Sequence, residues 1–428
     1  MNDATPDSLQ TVASDPGVTG RPFMDRRSFL LAGTATLAVG FSGRLLAAPT
    51  SGPRFLLVFL RGGYDAANAV IPYSSSFYYE SRPHIAIAPP REGAEDGALA
   101  LDADWALAPA LRPTLGSLYR QRQVAFVPFA GTDDLSRSHF ETQDSIELGQ
   151  PLGGARDYRS GFMARLAATL NGPRGGAGQR DTMPAIAFTD SLPLSFEGPN
   201  TIANISLKNV GKPAFDARQA RILTDMYAGT GLQSAVGDGL ELRAQVAQTI
   251  QKEMVASGRN AISAKGFELE AERMAQLMRD DYRVGFIDVG GWDTHVGEGG
   301  ATGTLANNLA GLGRGLASYA QALGDEWNNT VVVVLSEFGR TFRENGDGGT
   351  DHGHGTVYWV LGGSVRGGQI LGSQQQVAQA TLFQNRDYPV LNNYRALLGG
   401  LFQRLWGLSG TQCQTVFPQA AARDLQLV

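Results

Sequence analysis

Four short apolar segments constrain the fold of this chain more than any other feature of its sequence. They cover residues 55–60, 124–130, 284–289 and 331–335. A segment that is apolar at nearly every position predicts a strand buried on both faces, as in a parallel sheet. Between the last two segments, apolar side chains recur every three or four residues, which predicts an amphipathic helix; they are Leu305, Leu309, Leu312, Leu316, Tyr319 and Leu323. Strand, helix and strand in this order predict a right-handed parallel crossover and an α/β protein.

The start of the chain predicts export. Arg26 and Arg27 directly precede a modest apolar run at residues 29–41, and small residues follow at 47–48. This pattern is typical of a cleavable signal of the twin-arginine type, and the run is too short for a confident membrane span. Residues 1–48 are therefore predicted to be a signal peptide that binds the twin-arginine translocase and directs the protein to the periplasm. The alternatives are an uncleaved signal that serves as an anchor and a surface helix that merely contains two arginines.

The rest of the chain is predicted to be a single domain over residues 54–428, without an integral membrane span. Residues 151–265 differ from their surroundings, with a Gly- and Pro-rich stretch at 171–178, an edge strand at 185–188 and a helical stretch at about 216–254. We interpret them as a cap or insertion beside the sheet.

Charge and cysteine content exclude two classes of protein. The net charge of −5 argues against a nucleic-acid partner, because phosphate binding needs a basic surface. Cys413 is the only cysteine, so the chain has no intrachain disulfide despite its predicted oxidising destination.

Polar side chains follow each predicted strand, where an open α/β sheet places its ligands. They are Asp65, His139, Asp293 with His295, Glu337, and the group Asp351, His352 and His354. Imidazole and carboxylate ligands together suit Zn, Mn or Fe better than Ca or Mg, which prefer oxygen alone. The set is large enough for two ions, which would clamp the oxygens of a phosphoryl or sulfuryl transfer. The alternative for any single Asp–His pair is a hydrogen-bonded loop, and His84 is assigned to packing or surface.

A nucleophile and an anion clamp are predicted beside these ligands. Ser138 is the candidate nucleophile and Arg137 the candidate clamp for an anionic substrate. Ser136 and Thr132 compete for the first role. The alternative for Ser138 is that it caps the following helix. Arg340 is either a second clamp or part of a surface ion pair.

These motifs in combination resemble those of the bacterial domain-of-unknown-function family 1501. The motifs are Leu-Arg-Gly-Gly-Tyr-Asp, Ser-Arg-Ser-His-Phe, Gly-Gly-Trp-Asp-Thr-His, Ser-Glu-Phe-Gly-Arg-Thr and Gly-Thr-Asp-His-Gly-His-Gly. The family consists of twin-arginine-exported proteins related to sulfatases and alkaline phosphatases. The resemblance spans about residues 54–428 and implies an alkaline-phosphatase-like fold, with a doubly wound, mostly parallel sheet and a metal site at its carboxyl edge.

The resemblance also implies roles for individual residues. Asp65 matches the first metal-binding Asp, and Ser138 falls in the nucleophile region. Asp293 with His295 matches a later Asp and His pair, with Asp288 as an alternative carboxylate, and His354 or His352 matches the final His. The chain departs from the wider superfamily at Glu337-Phe338, where an Asp-His pair is expected, because Phe338 cannot bind a metal. His139 or His352 is a replacement; without one, the protein has one metal, or none and is a degenerate relative.

Two functions are consistent with the sequence. The first is a periplasmic metal-dependent hydrolase of small anionic phosphate or sulfate esters, in which Ser138 attacks and one or two divalent ions stabilise the developing charge. The second is a non-catalytic relative that serves as a binding or assembly component of the cell envelope.

Overall fold

The four apolar segments become the central strands of a large sheet in the computed structural model. The structure describes residues 52–172, 183–207, 217–240 and 267–428, and these contain a nine-stranded sheet and a small three-stranded sheet. The strands are β1 (Arg54–Leu60), β2 (Val70–Ile71), β3 (Leu99–Ala100), β4 (Ala106–Leu107), β5 (Val124–Gly131), β6 (Ala185–Ala187), β7 (Ala203–Asn204), β8 (Val284–Val289), β9 (Thr330–Ser336), β10 (Thr356–Leu361), β11 (Gln369–Ile370) and β12 (Asn392–Asn393). Each predicted strand is observed, with its bounds shifted by one residue at most.

Strand direction in the large sheet decides where the polar loops meet. The order is β11-β5-β10-β9-β1-β8-β6-β7, with β12 also paired to β5. β10 runs antiparallel to β5 and β9, while every other pairing is parallel. The carboxyl ends of β1, β5, β8 and β9 therefore lie at one edge of the sheet. The loop that leads into β10 lies at this same edge, because β10 runs the opposite way.

Helices cover both faces of the sheet. They are α1 (Ser76–Ser81), α2 (Leu115–Arg120), α3 (His139–Leu148), α4 (Phe162–Leu170), α5 (Ala217–Tyr227), α6 (Phe267–Asp280), α7 (Thr304–Leu323), α8 (Tyr394–Trp406) and α9 (Gly410–Val416). Alternate residues of β1 enter two separate cores. Leu56 and Val58 pack with α6 and α7 on one face, and Phe55 and Leu57 pack with α4, α8 and α9 on the other. This arrangement confirms the predicted fold class, a mostly parallel sheet flanked by helices.

The helix predicted between the last two apolar segments is α7. All six of its predicted core residues are buried. It connects β8 to β9, and β1 lies between these two strands in the sheet.

Within residues 151–265, the structure describes α4, β6, β7 and α5. The strand predicted at 185–188 is β6, which lies between β8 and β7 rather than at the edge of the sheet. Helix α5 and the helical residues 233–240 fall within the predicted helical stretch, and residues 241–254 lie outside the described residues. The predicted signal peptide also lies outside them. No helix in the described ranges is long and apolar enough to cross a membrane.

Candidate metal centre

Four loops bring polar side chains to the carboxyl edge of the sheet. They follow β5, β8 and β9 and precede β10, and they carry His139, Asp293 with His295, Glu337, and His352. The loops pack backbone against backbone. At Gly349 a Cβ atom would lie 2.4 Å from the carbonyl oxygen of His295, so only glycine allows this approach.

Three imidazoles surround one carboxylate oxygen. Oδ1 of Asp293 lies 2.9 Å from Nε2 of His295, 3.3 Å from Nε2 of His352 and 3.4 Å from Nε2 of His139. The Nε2 atoms of His295 and His352 are 3.0 Å apart. The structure thus brings together four of the predicted ligands, one from the loop after β5, two from the loop after β8 and one from the loop before β10.

The geometry of this cluster fits a divalent cation. Ligand atoms bonded to zinc at about 2.0–2.1 Å in a tetrahedron lie about 3.3 Å from one another. The three distances from Oδ1 of Asp293 and the distance between His295 and His352, 2.9–3.4 Å, are close to this spacing. Ligand atoms of His139, Asp293 and His352 all lie within 4.8 Å of one another. Nε2 of His139 is buried and has no hydrogen-bond partner in the described part of the chain. A buried nitrogen without a partner is costly, and a metal ion would satisfy it.

Each of the three imidazoles is oriented by an oxygen on its other nitrogen. Nδ1 of His139 lies 2.8 Å from Oε1 of Glu337, Nδ1 of His352 lies 3.0 Å from the carbonyl oxygen of Arg137, and Nδ1 of His295 lies 3.3 Å from Oδ1 of Asp351. A proton on Nδ1 leaves Nε2 bare, which is the arrangement of a metal-binding histidine. Glu337 and Asp351 were both predicted as ligands, but they contact Nδ1 of His139 and His295 and so orient these two imidazoles from outside the cluster.

Glu337 is held as a buried carboxylate. Its Oε1 accepts hydrogen bonds of 2.8 Å from the backbone N–H of Gly62 and the amide of Gln143, and Oε2 accepts one of 2.9 Å from Ser336. Burial raises its pKa, but the hydrogen bonds from His139 and these groups outweigh that effect and lower it. In turn, the hydrogen bond to Glu337 raises the pKa of His139.

Arg340 fixes Asp293 and the surrounding loops. Its guanidinium is buried, lies 2.5 Å from Oδ1 of Asp293, and donates to the carbonyl oxygens of Gly62, Gly63, Trp292 and Thr350. Burial raises the pKa of Asp293, but Arg340 and the neighbouring histidines lower it overall. Arg340 is thus neither a free anion clamp nor a surface ion pair.

Two more predicted ligands, Asp65 and His354, also lie outside the cluster. Asp65 is buried against Arg82, which binds both its carboxylate oxygens, one of them at 3.0 Å. Burial raises the pKa of Asp65, and Arg82 more than reverses this effect. His354 packs against Phe383, and burial together with Arg137 lowers its pKa to about 4. Asp288, the alternative carboxylate, pairs with Arg61 at 2.6 Å.

The predicted nucleophile and clamp have structural partners. Ser138 is the N-cap of α3, and its Oγ accepts a long hydrogen bond of 3.5 Å from the N–H of Glu141. Ser136 contacts the hydroxyl of Thr142, and Thr132 accepts from the N–H of Asp134. The side chain of Arg137 pairs with the buried carboxylate of Asp387 at 2.6 Å. His84 forms an exposed pair with Glu344, so of its two predicted assignments, packing or surface, it has the second.

Three residues at this edge escaped the sequence analysis. Arg386 donates to the carbonyl oxygen of His352 and pairs with Asp387. Glu298 accepts hydrogen bonds of 2.8 Å from Thr294 and Thr350. Arg386 and Asp387 lie in a stretch without glycine or histidine, so the sequence carried no local signal for them. Glu298 does carry one, because it lies between Gly297 and Gly299, three residues after His295.

These features define an α/β protein with a histidine and carboxylate centre at the carboxyl edge of its sheet. The chain belongs to the family described as protein of unknown function (DUF1501), whose model matches residues 106–417. The predicted family resemblance is thereby confirmed. No curated protein matches the sequence.

Solved structures give distant likenesses. The C-terminal periplasmic domain of EcEptC from Escherichia coli, in complex with Zn, is 12% identical with a TM-score of 0.40, over 86% of this chain and 87% of that one. A protein in the alkaline phosphatase superfamily from Vibrio parahaemolyticus is 14% identical with a TM-score of 0.31, over 73% of this chain and 60% of that one. Alkaline phosphatase from the Antarctic bacterium TAB5 is 13% identical with a TM-score of 0.27, over 75% and 95%.

Proposed function

We propose that the protein is an exported, metal-dependent hydrolase of phosphate or sulfate esters that acts in the periplasm. The observation that carries this proposal is the shared orientation of three imidazoles. His139, His295 and His352 each turn Nε2 toward Oδ1 of Asp293 and Nδ1 toward an oxygen acceptor. These four residues would hold one divalent ion, with zinc, manganese or iron favoured by the ligand set.

A single ion is favoured over two. Asp65, which would contribute to a second site, is neutralised by Arg82, and Phe338 stands where the family resemblance implies a second imidazole. The rings of His139 and His352 lie 4.9 and 5.0 Å from the ring of Phe338. An ion bound by the four ligands supplies positive charge for an ester oxygen.

The charges at this edge explain why an anionic ester would need the ion. The guanidinium groups of Arg61, Arg137 and Arg340 are each paired with a carboxylate, namely Asp288, Asp387 and Asp293. Arg386 shares Asp387 with Arg137, while Glu337 and Asp351 add negative charge. No arginine named here is left without a carboxylate, so the ion would supply the attraction for an anion.

The chain's own contribution to the reaction comes from the start of α3. The first N–H groups of a helix have no carbonyl acceptors within the helix, and such termini bind anions. Ser138 stands at this terminus, one residue before His139, and its weak capping bond leaves the hydroxyl available. Its Oγ would attack phosphorus or sulfur as the ester's alcohol leaves, and water would then hydrolyse the seryl ester.

The rim of the centre favours an ester with an apolar organic part. Phe140 and Val296 directly follow two of the histidines and are 84% and 70% exposed, and Leu135 nearby is 51% exposed. Exposed apolar side chains grouped at a reaction centre are typical of binding surfaces for apolar groups.

A second candidate is a non-catalytic component of the cell envelope that keeps one metal ion. It is favoured by Arg137, which is bound to Asp387 and so is not free to clamp a substrate, and by Phe338.

Elemental analysis of protein purified from the periplasm tests the proposal when it is combined with turnover of aryl phosphates, phosphodiesters and aryl sulfates. We expect about one ion per chain and turnover of at least one class. His352→Ala should lose both, whereas His84→Ala, which changes a histidine in an exposed ion pair, should keep both. Bound metal without turnover would favour the second candidate, and protein without metal would overturn both.

A further inference from the structure

A tight hairpin at residues 383–387 contacts Arg137 and His352, two residues of the loops that form the metal centre. Phe383 and Asp387 exchange two backbone hydrogen bonds, of 2.8 and 3.1 Å. Gln384 and Asn385 form the turn with φ values of +54° and +55°, which are uncommon for residues other than glycine. Such a conformation persists only where the surroundings hold it in place.

Two side chains of this hairpin bind the guanidinium group of Arg137. Oδ2 of Asp387 accepts hydrogen bonds of 3.0 Å from Nε and 2.6 Å from a terminal nitrogen of Arg137. Oε1 of Gln384 accepts another of 2.9 Å. Arg137 itself has a left-handed backbone, with φ of +53°. Its carbonyl oxygen, placed by this unusual backbone, is the acceptor for Nδ1 of His352 at 3.0 Å.

Arg386 provides a second connection from the hairpin to the same histidine. It donates a hydrogen bond of 2.8 Å to the carbonyl oxygen of His352 and lies 3.5 Å from Oδ2 of Asp387. The fully buried carboxylate of Asp387 therefore stands between two guanidinium groups. Arg137 orients the ring of His352 through its carbonyl oxygen, and Arg386 holds the backbone of His352 through a hydrogen bond.

We propose that Asp387 is a positioning residue for His352, holding the imidazole so that Nε2 faces the metal ion; this inference rests on the proposed function. The side-chain contacts of Asp387 are with Arg137 and Arg386, and not with a ring nitrogen of the three histidines. It acts through Arg137 and Arg386. Replacing its charge frees both arginines, and the carbonyl of Arg137 then loses the geometry that keeps the proton of His352 on Nδ1.

The experiment compares zinc affinity of the full chain after metal removal, by competition with a chromophoric chelator. Asp387→Asn should bind zinc about 10- to 100-fold more weakly than the wild type. Glu326→Gln is the matched control, because Glu326 also pairs with a buried arginine, Arg54, at the start of β1 and hence at the other edge of the sheet. It should keep the wild-type affinity. If Asp387→Asn does not fold, Arg137→Gln should show a loss in the same direction.

The tautomer of His352 is a second measurement, and a general loss of stability in the variant would not change it. Nitrogen NMR of labelled histidine in the metal-free protein should show the proton on Nδ1 in the wild type and a mixture in Asp387→Asn. Equal zinc affinity in these two proteins, or an equal loss in Glu326→Gln, would overturn the inference. A wild type that binds no zinc would defeat the proposed function, and an unchanged tautomer in Asp387→Asn would separately defeat the role of Asp387.

Discussion

Replacement of Glu298 by glutamine should remove a large part of the pH dependence of folding. Glu298 is fully buried, and Oε2 accepts hydrogen bonds of 2.8 Å from the hydroxyls of Thr294 and Thr350. Burial and the adjacent carboxylate of Asp65 raise its pKa to about 9. Because the neutral acid can donate to Asp65 while the carboxylate cannot, the folded state holds a proton that the unfolded chain releases.

The sign and size of the effect follow from this linkage. Glu298 binds a proton in the folded state up to pH of about 9, whereas in the unfolded chain it is ionised above its usual pKa of about 4.3. Between these values the unfolding free energy falls as pH rises, by about 1.4 kcal/mol per pH unit for one proton. From pH 6 to pH 8 this group alone should lower it by about 3 kcal/mol. Asp65, whose pKa is lowered, is ionised in both states over this range and adds no slope.

Urea unfolding at pH 6, 7 and 8 in the presence of a chelator measures this slope. Glutamine can accept from both threonines and donate to Asp65, so Glu298→Gln should fold and should be less stabilised by acid than the wild type. The two proteins differ only at position 298, so the difference between the two curves isolates Glu298. Glu272→Gln, at an exposed position of α6, is the control and should follow the wild type. A Glu298→Gln curve parallel to that of the wild type would refute the reasoning.

Three further predictions concern the centre and its rim. Glu337→Gln should weaken zinc binding about tenfold, because glutamine is a poorer acceptor for Nδ1 of His139; a titration that matches the wild type would contradict this role. Asp65→Asn leaves Arg82 as a buried unpaired charge and should cost about 3–5 kcal/mol, measured by urea unfolding, and an unchanged midpoint would be contrary evidence. Phe140→Ala should lower kcat/KM about tenfold for aryl esters and leave methyl esters unchanged; an equal effect on both would rule out a substrate contact.

Much of the architecture could be predicted from local pattern. The four apolar segments became β1, β5, β8 and β9, and the spacing of leucines before β9 became α7. Such patterns report burial directly, because a strand covered on both faces tolerates polar side chains at few positions. The short strands β11 and β12 have no such pattern, since they are set by their pairing with β5 rather than by their own composition.

The sequence by itself determined which loops carry the chemistry, since Gly-rich turns with histidine and acidic residues follow buried strands. Only the tertiary structure decided which of these side chains share a point in space. Asp65 and Asp293 look alike in sequence, yet one faces Arg82 and the other faces three imidazoles. Likewise Arg137 and Ser138 precede His139, but a hairpin some 250 residues away binds the arginine. A charged side chain is placed by its distant partner, and local spacing carries no information about that partner.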